Sequence, residues 1–226
     1  AFMSDQEKGV NVYVFDRTSM KSIKNNLRNF DKWRRVKLNG LESLLYMCVN
    51  NKQDRQIELL APAQVNKILI IRNNKRIGNI FFLIPFVRQT RESFPHAHIT
   101  LMLNSNWQGQ IFDYMGINHI CYSNFSAKNT FSYLKFIKNM KNDSFDLIIT
   151  PNSSVGDTMT AAMLPSKNKV SHHHHLRKTV FTHTYEKIKE SSPHAAFNCL
   201  SILSSMGIRV PDSPSHYMEF SESEIK

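Results

Sequence analysis

A strand, a polar loop and a helix follow one another between Lys67 and Arg91, and their order suits the binding of an anion. The apolar run that ends at Arg72 predicts a buried strand, and the helix predicted from Ile77 begins beyond a loop of amides and cations. A helix N-terminus presents unpaired backbone N–H groups and the positive end of the helix dipole. The candidate binding residues are Arg72, Asn73, Asn74, Lys75, Arg76 and Gly78.

This loop belongs to no standard phosphate-binding motif. It contains a single glycine, Gly78, whereas the dinucleotide fingerprint and the P-loop need several. The segment between Lys67 and Arg91 has no acid, which favours a phosphate or a developing negative charge there. The alternative interpretation is an α/β turn whose basic side chains are only solvated.

A second polar loop follows the predicted strand Phe145–Thr150 and carries the other candidates. Asn152 and Ser153 are suited to hydrogen-bonding a sugar, and equally to serving as turn and N-cap residues. Asp157 is the nearest carboxylate by sequence and a candidate catalytic residue. It is also the kind of acid that the helix dipole favours in a first turn.

Short apolar runs alternate with amphipathic stretches over residues 61–210, which indicates a parallel sheet covered by helices on both faces. The fold class is therefore α/β, a Rossmann-like open sheet, in which the ligand lies beyond the carboxyl ends of the strands. The predicted strands are Lys67–Arg72, His98–Leu103, Ile117–Tyr122 and Phe145–Thr150. The predicted helices are Ile77–Ser93, Gln108–Met115, Thr130–Met140, Val155–Leu164 and His194–Met206.

Three details of these elements are specific enough to check. Gly116 and Gly207 are predicted C-caps. The residues expected to face the core from the helix Thr130–Met140 are Phe131, Leu134 and Ile137. Residues 165–184 interrupt the predicted order of strands and helices, and the four histidines His172–His175 in them are predicted to be a solvated loop, because four contiguous imidazoles converge poorly on one metal ion.

Residues 1–60 differ from the rest of the chain by their charge. The stretch 17–37 has eight Lys or Arg and one acid, so +7 of the net charge of +11 lies there. Its apolar residues recur at helical spacing. A basic amphipathic helix of this kind either lies on an anionic membrane or packs on the following domain. Its apolar residues are Met20, Ile23, Leu27, Phe30 and Trp33.

The cysteines and the apolar runs suggest a location. Cys48, Cys121 and Cys199 are far apart, as expected of buried free thiols in a reducing compartment. No signal peptide and no apolar run long enough to span a bilayer is recognisable. We therefore expect a cytoplasmic protein. Residues 211–226, rich in Ser, Pro and Glu, are expected to be a tail or linker.

Taken in order, these segments resemble the N-terminal half of glycosyltransferase family 9, the ADP-heptose:lipopolysaccharide heptosyltransferases. That family has a strand ending in Arg or Lys, a polar loop, an Ile/Met-Gly-Asp step, an apolar helix with proline and an Arg-x-x-Phe-Pro exit. The resemblance covers roughly residues 67–210. The matching pieces are Ile68–Arg72, Ile77-Gly78, Leu83–Pro85, Arg88, Arg91, Phe94-Pro95, Ala97–Leu103, Met115–Ile117, Phe145–Ile149 and His194–Ile208.

The resemblance implies one Rossmann-like half of a two-domain GT-B enzyme. In that family an acceptor hydroxyl attacks the anomeric carbon of ADP-heptose with inversion, no metal or other cofactor takes part, and the second domain holds most of the donor. This half would then bind the acceptor, with phosphate or Kdo carboxylate groups of a lipopolysaccharide inner core on Arg72, Lys75 and Arg76. The implied location is the cytoplasmic face of a bacterial inner membrane.

One departure from the family pattern affects the chemistry. The family has an Asp, thought to be the base, where this chain has Asn79. An amide can orient a hydroxyl by hydrogen bonding, but it accepts no proton at neutral pH. The alternative is therefore a non-catalytic relative that binds an acidic glycan or lipid, or completes a partner enzyme. Nucleic-acid binding rests on charge alone and is not expected.

Overall fold

The fold is built on one six-stranded sheet, seen in a computed structural model that describes residues 57–124, 129–152, 154–175, 179–186 and 195–211. The amphipathic helix predicted over 17–37 lies outside the described residues. All paired strands are parallel. The strands are β1 (Lys67–Arg72), β2 (His98–Leu103), β3 (His119–Tyr122), β4 (Phe145–Thr150), β5 (Ser166–His172) and β6 (His183–Tyr185).

Helices cover both faces of this sheet. The face that carries Ile68 and Ile70 packs against α1, α2 and α5, and the face with Leu69 and Ile71 packs against α3 and α4. A strand buried on both sides must be apolar along its whole length, which explains the continuous apolar run of β1. The helices are α1 (Ile77–Phe81), α2 (Ile84–Ser93), α3 (Thr130–Met140), α4 (Val155–Met163) and α5 (Ala195–Ser205).

The strand order, β3-β2-β1-β4-β5-β6, confirms the predicted Rossmann-like fold. The order reverses between β1 and β4, because the chain runs from β1 to one edge of the sheet and then returns to the other side of β1. The register pairs Ile68 with Leu147 and Ile70 with Ile149. Ligands bind at the carboxyl edge of such a switch point. Arg72 and Thr150 end the two strands there.

The predicted helix Ile77–Ser93 is two helices instead of one. The chain turns at Phe82 and Leu83, and the Leu83 N–H donates to the Ile80 carbonyl at 2.9 Å. Pro85 follows in the first turn of α2, where its missing N–H and fixed φ are tolerated, whereas inside a continuous helix it would remove a hydrogen bond. The proline therefore sets the boundary between α1 and α2.

The other predicted elements of this part of the chain are confirmed with small shifts. β1, β2, α3 and β4 have the predicted bounds, β3 begins at His119, and the predicted helix Gln108–Met115 is a 3₁₀ segment, Asn106–Phe112. Gly116 and Gly207 have φ angles of 67° and 81°. These left-handed conformations suit a residue without Cβ. Gly207 ends α5 as predicted, whereas Gly116 lies beyond the 3₁₀ segment, whose C-cap is Asp113, so its prediction as a C-cap was wrong.

The interpretation of residues 165–184 as an interruption of the order was wrong, because β5 and β6 lie there. β5 reads Ser-Lys-Asn-Lys-Val-Ser-His and has no apolar run, yet its last five residues are buried. Its polar side chains have partners: Asn168 Oδ1 accepts from the Leu60 N–H at 2.9 Å, and Ser171 Oγ donates to the Thr150 carbonyl at 3.1 Å. Buried polar groups of this kind need such partners.

The histidines after Val170 divide between core and surface. His172 ends β5 and is 1% exposed, with Nε2 2.5 Å from the Asn198 carbonyl oxygen, so the prediction that it is solvated was wrong. His173 and His175 are exposed as predicted, and the His175 ring stacks on that of the half-buried His174. In the described part of the chain no group of three His, Cys, Asp or Glu could hold a metal ion.

The predicted core face of α3 also needs correction. Phe131 is 85% exposed and Leu134 is 48% exposed, whereas Tyr133, Ile137 and Met140 are buried. Both sets have helical spacing, so periodicity alone cannot choose between two neighbouring stripes of one helix. The contacts with the sheet select the stripe that contains Tyr133.

Two of the three cysteines lie in the described part of the chain. Cys121 and Cys199 are free and buried, as predicted. Burial, with a smaller effect from Asp143, raises the pKa of the Cys121 thiol to about 12. A thiol this far from ionisation is a poor nucleophile.

Lys169 of β5 is buried, with 1% of its surface exposed. Burial lowers the pKa of its ammonium from 10.5 to about 8. The folded protein therefore binds fewer protons at this group than the unfolded chain does between these two values, and its stability rises with pH across that window. At neutral pH the buried charge opposes folding.

We predict that Lys169→Met stabilises the protein at neutral pH, by on the order of 3 kcal/mol from the size of the pKa shift. The gain over wild type should shrink as the pH rises from 8 towards 10.5, because wild-type Lys169 then loses its charge. Urea denaturation at several pH values measures this difference. Lys138→Met is the matched control, since Lys138 is an exposed lysine of α3. A gain in stability that does not change with pH would contradict the assignment of Lys169 as a buried, charged group.

Candidate functional site at the strand switch point

Arg72 ends β1 at the switch point and is held there by a buried acid. Its Nη1 lies 3.5 Å from Oδ2 of Asp157, and the two side chains are 4% and 0% exposed. Asp157 Oδ1 also accepts a hydrogen bond from the backbone N–H of Asn73 at 2.6 Å. Asp157 thereby ties the end of β1 to the first turn of α4.

Asp157 is positioned by the cap of its own helix. Ser154 is the N-cap of α4, and its Oγ accepts from the Asp157 N–H at 3.1 Å. Burial, the largest influence, raises the pKa of the Asp157 carboxyl, while the Arg72 guanidinium and the Asn73 N–H oppose that rise. With no exposed surface, this carboxylate cannot reach an acceptor hydroxyl from solvent, so its geometry fits a structural role better than the predicted catalytic one.

The side chain of Asn73 lies within a hydrogen-bond network. Its Nδ2 donates to Thr160 Oγ1 at 2.8 Å, and its Oδ1 accepts from Ser123 Oγ at 2.6 Å. Thr160 Oγ1 is also 2.6 Å from the hydroxyl of Tyr133, whose pKa burial raises to about 12. The predicted binding residue Asn73 is thus engaged with α3, α4 and the end of β3.

Asn74 is fixed through its backbone by Gln108. The Gln108 Nε2 donates to the Asn74 carbonyl at 2.6 Å, and its Oε1 accepts from the N–H groups of Asn104 and Ser105 at 3.0 and 3.1 Å. Asn74 Oδ1 in turn accepts from the Arg76 N–H at 2.7 Å. Gln108 is fully buried, so the loop after β1 rests on a rigid support.

The part of this loop that faces solvent is basic. Lys75, Arg76 and Gly78 are exposed, and Asn79 is half-buried. The Asn79 N–H donates to the Arg76 carbonyl at 3.1 Å. Because α1 has only five residues, its dipole adds little, and the two side-chain charges carry the attraction for an anion.

The loop after β4 forms the other side of the switch point. Asn152 is half-buried; its carbonyl accepts from the Ser154 N–H at 2.8 Å, and its Nδ2 lies 3.7 Å from Cys199 Sγ. The predicted binding residue Ser153 lies outside the described residues. Asn152 therefore remains a candidate for contact with a ligand.

Two buried polar atoms at the strand ends have no hydrogen-bond partner within the described part of the chain. They are Nε of Arg72 and Oγ1 of Thr150. Buried donors of this kind are rare, because each unpaired group costs about 1–3 kcal/mol. Both atoms are shielded from solvent, as the Asp157 carboxylate is, so neither is placed to contact a ligand at the surface of the switch point.

The switch point as a whole can bind and orient an anionic, hydroxylated molecule. Arg76 and Lys75 supply exposed charge, and the amides of Asn79 and Asn152 supply donors and acceptors. The sequence analysis missed four of the residues that support them, which are Gln108, Ser123, Tyr133 and Thr160. Of these four, Gln108 has a recognisable signal, because its spacing from Ser105 is that of a capping box.

Three solved structures of glycosyltransferases resemble this chain. A family 9 glycosyl transferase from Veillonella parvula DSM 2008 matches with a TM-score of 0.56 and 18% identity, over 64% of this chain and 42% of that chain. The E. coli heptosyltransferase WaaC with ADP matches with a TM-score of 0.54 and 13% identity, over 67% and 52%. The same enzyme with ADP-2-deoxy-2-fluoro heptose gives 0.51 and 13%, over 70% and 56%.

These likenesses show a shared fold at low identity. The chain spans about half the length of the solved structures that it matches. No protein-family model and no curated protein sequence matches it. Among the described residues, none of the helices is long and apolar enough to cross a membrane.

We predict that Asp157→Asn destabilises the protein by about 3 kcal/mol, because the buried Arg72 guanidinium loses its counter-charge. The double variant D157N/R72M should recover much of this loss of stability. It removes the unpaired Arg72 charge, and its amide oxygen at position 157 still accepts a hydrogen bond from the Asn73 N–H. Urea denaturation measures both, with Asp113→Asn on an exposed turn as the control. An unchanged midpoint for D157N would show that Asp157 is not the structural link assigned to it.

Proposed function

We propose that this protein is the acceptor-side half of a heptosyltransferase-like glycosyltransferase of family 9. It would take part in the transfer of a sugar from a nucleotide-sugar donor to an acidic glycolipid acceptor in lipopolysaccharide core biosynthesis. The observation that carries the proposal is the basic loop Arg72–Asn79 at the switch point, in a fold shared with a family 9 transferase and with WaaC. The same loop carries the sequence resemblance to that family.

The proposed acceptor is acidic because the exposed charge of the loop is positive. Lys75 and Arg76 project from a loop whose backbone is fixed by Gln108 and Asp157. Charge-assisted hydrogen bonds from guanidinium and ammonium groups suit phosphate and carboxylate oxygens. The phosphate and Kdo carboxylate groups of a lipopolysaccharide inner core have this chemistry.

The proposed donor is an ADP-heptose-like nucleotide sugar. The solved structures of WaaC contain ADP and ADP-2-deoxy-2-fluoro heptose. In the family that the sequence resembles, the second domain holds most of the donor, so we assign donor binding to a second GT-B half. The proposal includes no metal or other cofactor.

The chemical step would place three demands on the site. The acceptor oxygen forms a bond to the anomeric carbon, the bond from that carbon to the ADP oxygen breaks, and the acceptor hydroxyl gives up its proton. In this proposal Asn79 would orient that hydroxyl, but its amide accepts no proton. Asp157 is buried against Arg72. A base would therefore come from the second half or from solvent.

The missing base is the observation that favours the second candidate function. A non-catalytic relative would use the same loop to bind an acidic glycan or lipid, or to complete a partner enzyme. Neither role needs a proton acceptor beside Asn79. Both candidate functions involve binding the same acidic acceptor, but only the glycosyltransferase would transfer a sugar to it.

We also propose that residues 17–37 hold the protein against the cytoplasmic face of the bacterial inner membrane. The support is their charge of +7 and their amphipathic spacing. Anionic headgroups attract such a segment within about a Debye length of the surface. This location would bring the site to its glycolipid acceptor, and nucleic acid is not a proposed partner.

We predict that Arg76→Ala weakens binding of a Kdo-containing inner-core oligosaccharide about tenfold, the effect of one charge-assisted hydrogen bond. Isothermal titration calorimetry of the whole chain measures this effect. Lys138→Ala is the matched control, because Lys138 is exposed in the last turn of α3, away from the carboxyl edge. Equal affinities for wild type and R76A would show that the basic loop is not part of the acceptor site.

We predict that Asn79→Asp creates or raises transfer from ADP-heptose to a truncated lipopolysaccharide acceptor, because it restores a carboxylate where the family has its base. Labelled-sugar transfer is measured for wild type, N79D and N79A, each with and without a family 9 C-terminal half. Turnover by the wild-type chain would support the glycosyltransferase and contradict the non-catalytic alternative. If N79D binds acceptor and stays inactive with that half, Asn79 does not replace a base.

A further inference from the structure

A groove lies at the amino edge of the sheet, opposite to the switch point. It is lined by the first residues of four strands, which are Lys67 of β1, His98 of β2, His119 of β3 and Phe145 of β4. Its volume is about 500 Å³, within the range of small-molecule sites. β1 and β2 each have six residues, and at about 3.3 Å per residue the groove is roughly 17 Å from the carboxyl edge. This amino-edge groove is therefore separate from the candidate site at the switch point.

The strand register brings the basic side chains of the amino-edge groove together. Lys67 is paired with His98, and His119 is paired with Thr100, two residues beyond His98. Paired residues of parallel strands, and residues two apart on one strand, project from the same face of a sheet. Neighbouring strands are about 4.8 Å apart, so the lysine and the two histidines lie side by side. All three are exposed.

Two neutral side chains of the groove are available as hydrogen-bond donors. Asn118 Oδ1 accepts from the Ile99 N–H at 2.8 Å and from Arg91 Nη1 at 3.2 Å. These two bonds fix the orientation of the amide and leave its Nδ2 to donate to a ligand. Thr100 is only 5% exposed and lines the groove, and its hydroxyl has no partner within the described part of the chain. Polar groups that are buried to this degree normally have a partner.

The charges in the groove favour an anion over a cation. The lysine and both histidines have no ion pair or side-chain hydrogen bond among the described residues. Asp143 is the acid among the described residues that line the groove. The nearby Asp146 is already paired, because Lys167 Nζ lies 2.8 Å from its Oδ1 and two backbone N–H groups donate to its Oδ2. With both imidazoles protonated, three positive charges therefore face the carboxylate of Asp143.

We propose that the amino-edge groove binds a phosphorylated small molecule, with the phosphate on Lys67, His98 and His119. Phosphate oxygens accept charge-assisted hydrogen bonds from ammonium and imidazolium groups. The Asn118 amide and the Thr100 hydroxyl donate to the remaining oxygens of the ligand. This site takes no part in the proposed sugar transfer, and it does not rest on the proposed function.

Binding of glucose 6-phosphate to the whole chain, measured by isothermal titration calorimetry, tests the site. Lys67→Met should weaken binding about tenfold, the effect of one charge-assisted hydrogen bond. Lys138→Met is the matched control, because Lys138 is exposed on α3 and does not line the groove. Asp143→Asn should instead strengthen binding about threefold, because it removes the negative charge that opposes the phosphate. Glucose without the phosphate should bind much more weakly.

The two histidines also predict a pH dependence of binding. Imidazoles gain their charge between about pH 8 and pH 5, so affinity should rise about tenfold from pH 8 to pH 6. Glucose 6-sulfate is the probe for this measurement, because the charge of a sulfate ester is constant over this range, whereas a phosphate monoester takes up a proton near pH 6. H98Q/H119Q should remove the pH dependence. His96→Gln should keep it, because His96 is exposed but does not line the groove.

Four results would overturn the proposal. The first is that neither ester binds, and the second is that K67M and K138M bind glucose 6-phosphate equally well. The third is weaker binding by D143N, which would make the groove a site for a cation. The fourth is a loss of binding in R76A, which would place the phosphate on the basic loop at the switch point. Unchanged binding in R76A, together with a loss in K67M, would show two separate anion sites.

Discussion

The contact on which the site depends is the one between Asp157 and the end of β1. One carboxylate pairs with Arg72 and accepts from the Asn73 N–H, and so it joins the end of β1 to the first turn of α4, the helix that follows β4, at the point where the strand order reverses. Parallel strands pair along their length, but nothing in the pairing fixes the loops beyond their ends. Asp157 supplies that restraint from α4, and Gln108 supplies it from the 3₁₀ segment that follows β2.

This restraint separates two kinds of positive charge. The Arg72 guanidinium pairs with a buried carboxylate and therefore mainly stabilises the fold. Lys75 and Arg76 are exposed and can contact solvent or a ligand. A loop whose backbone is already ordered loses less conformational entropy on binding. The arrangement is therefore suited to recognising anionic groups. Among the described residues, the carboxylate beside it is that of Asp157, which is buried and unsuited to accepting a proton from a ligand.

The sequence could predict the first four strands and the switch-point loops because their signals are local. A continuous apolar run such as Ile68–Ile71 is buried wherever it folds, and an apolar strand followed by a helix implies a parallel sheet. β5 gave no such signal. Its Asn168, Ser171 and His172 are buried because Leu60, Thr150 and Asn198 offer them partners, and those partners lie far away along the chain.

By itself the sequence determined the fold class, the position of the candidate site and the sign of its charge. Each follows from residue types within one strand, loop or helix. The tertiary structure alone decided that Asp157 is a buried link, that Asn73 belongs to a network, and that Phe131 faces solvent while Tyr133 faces the sheet. These outcomes depend on which elements pack together. The periodicity of a helix or strand shows that one side is apolar, but it does not show which element packs against that side.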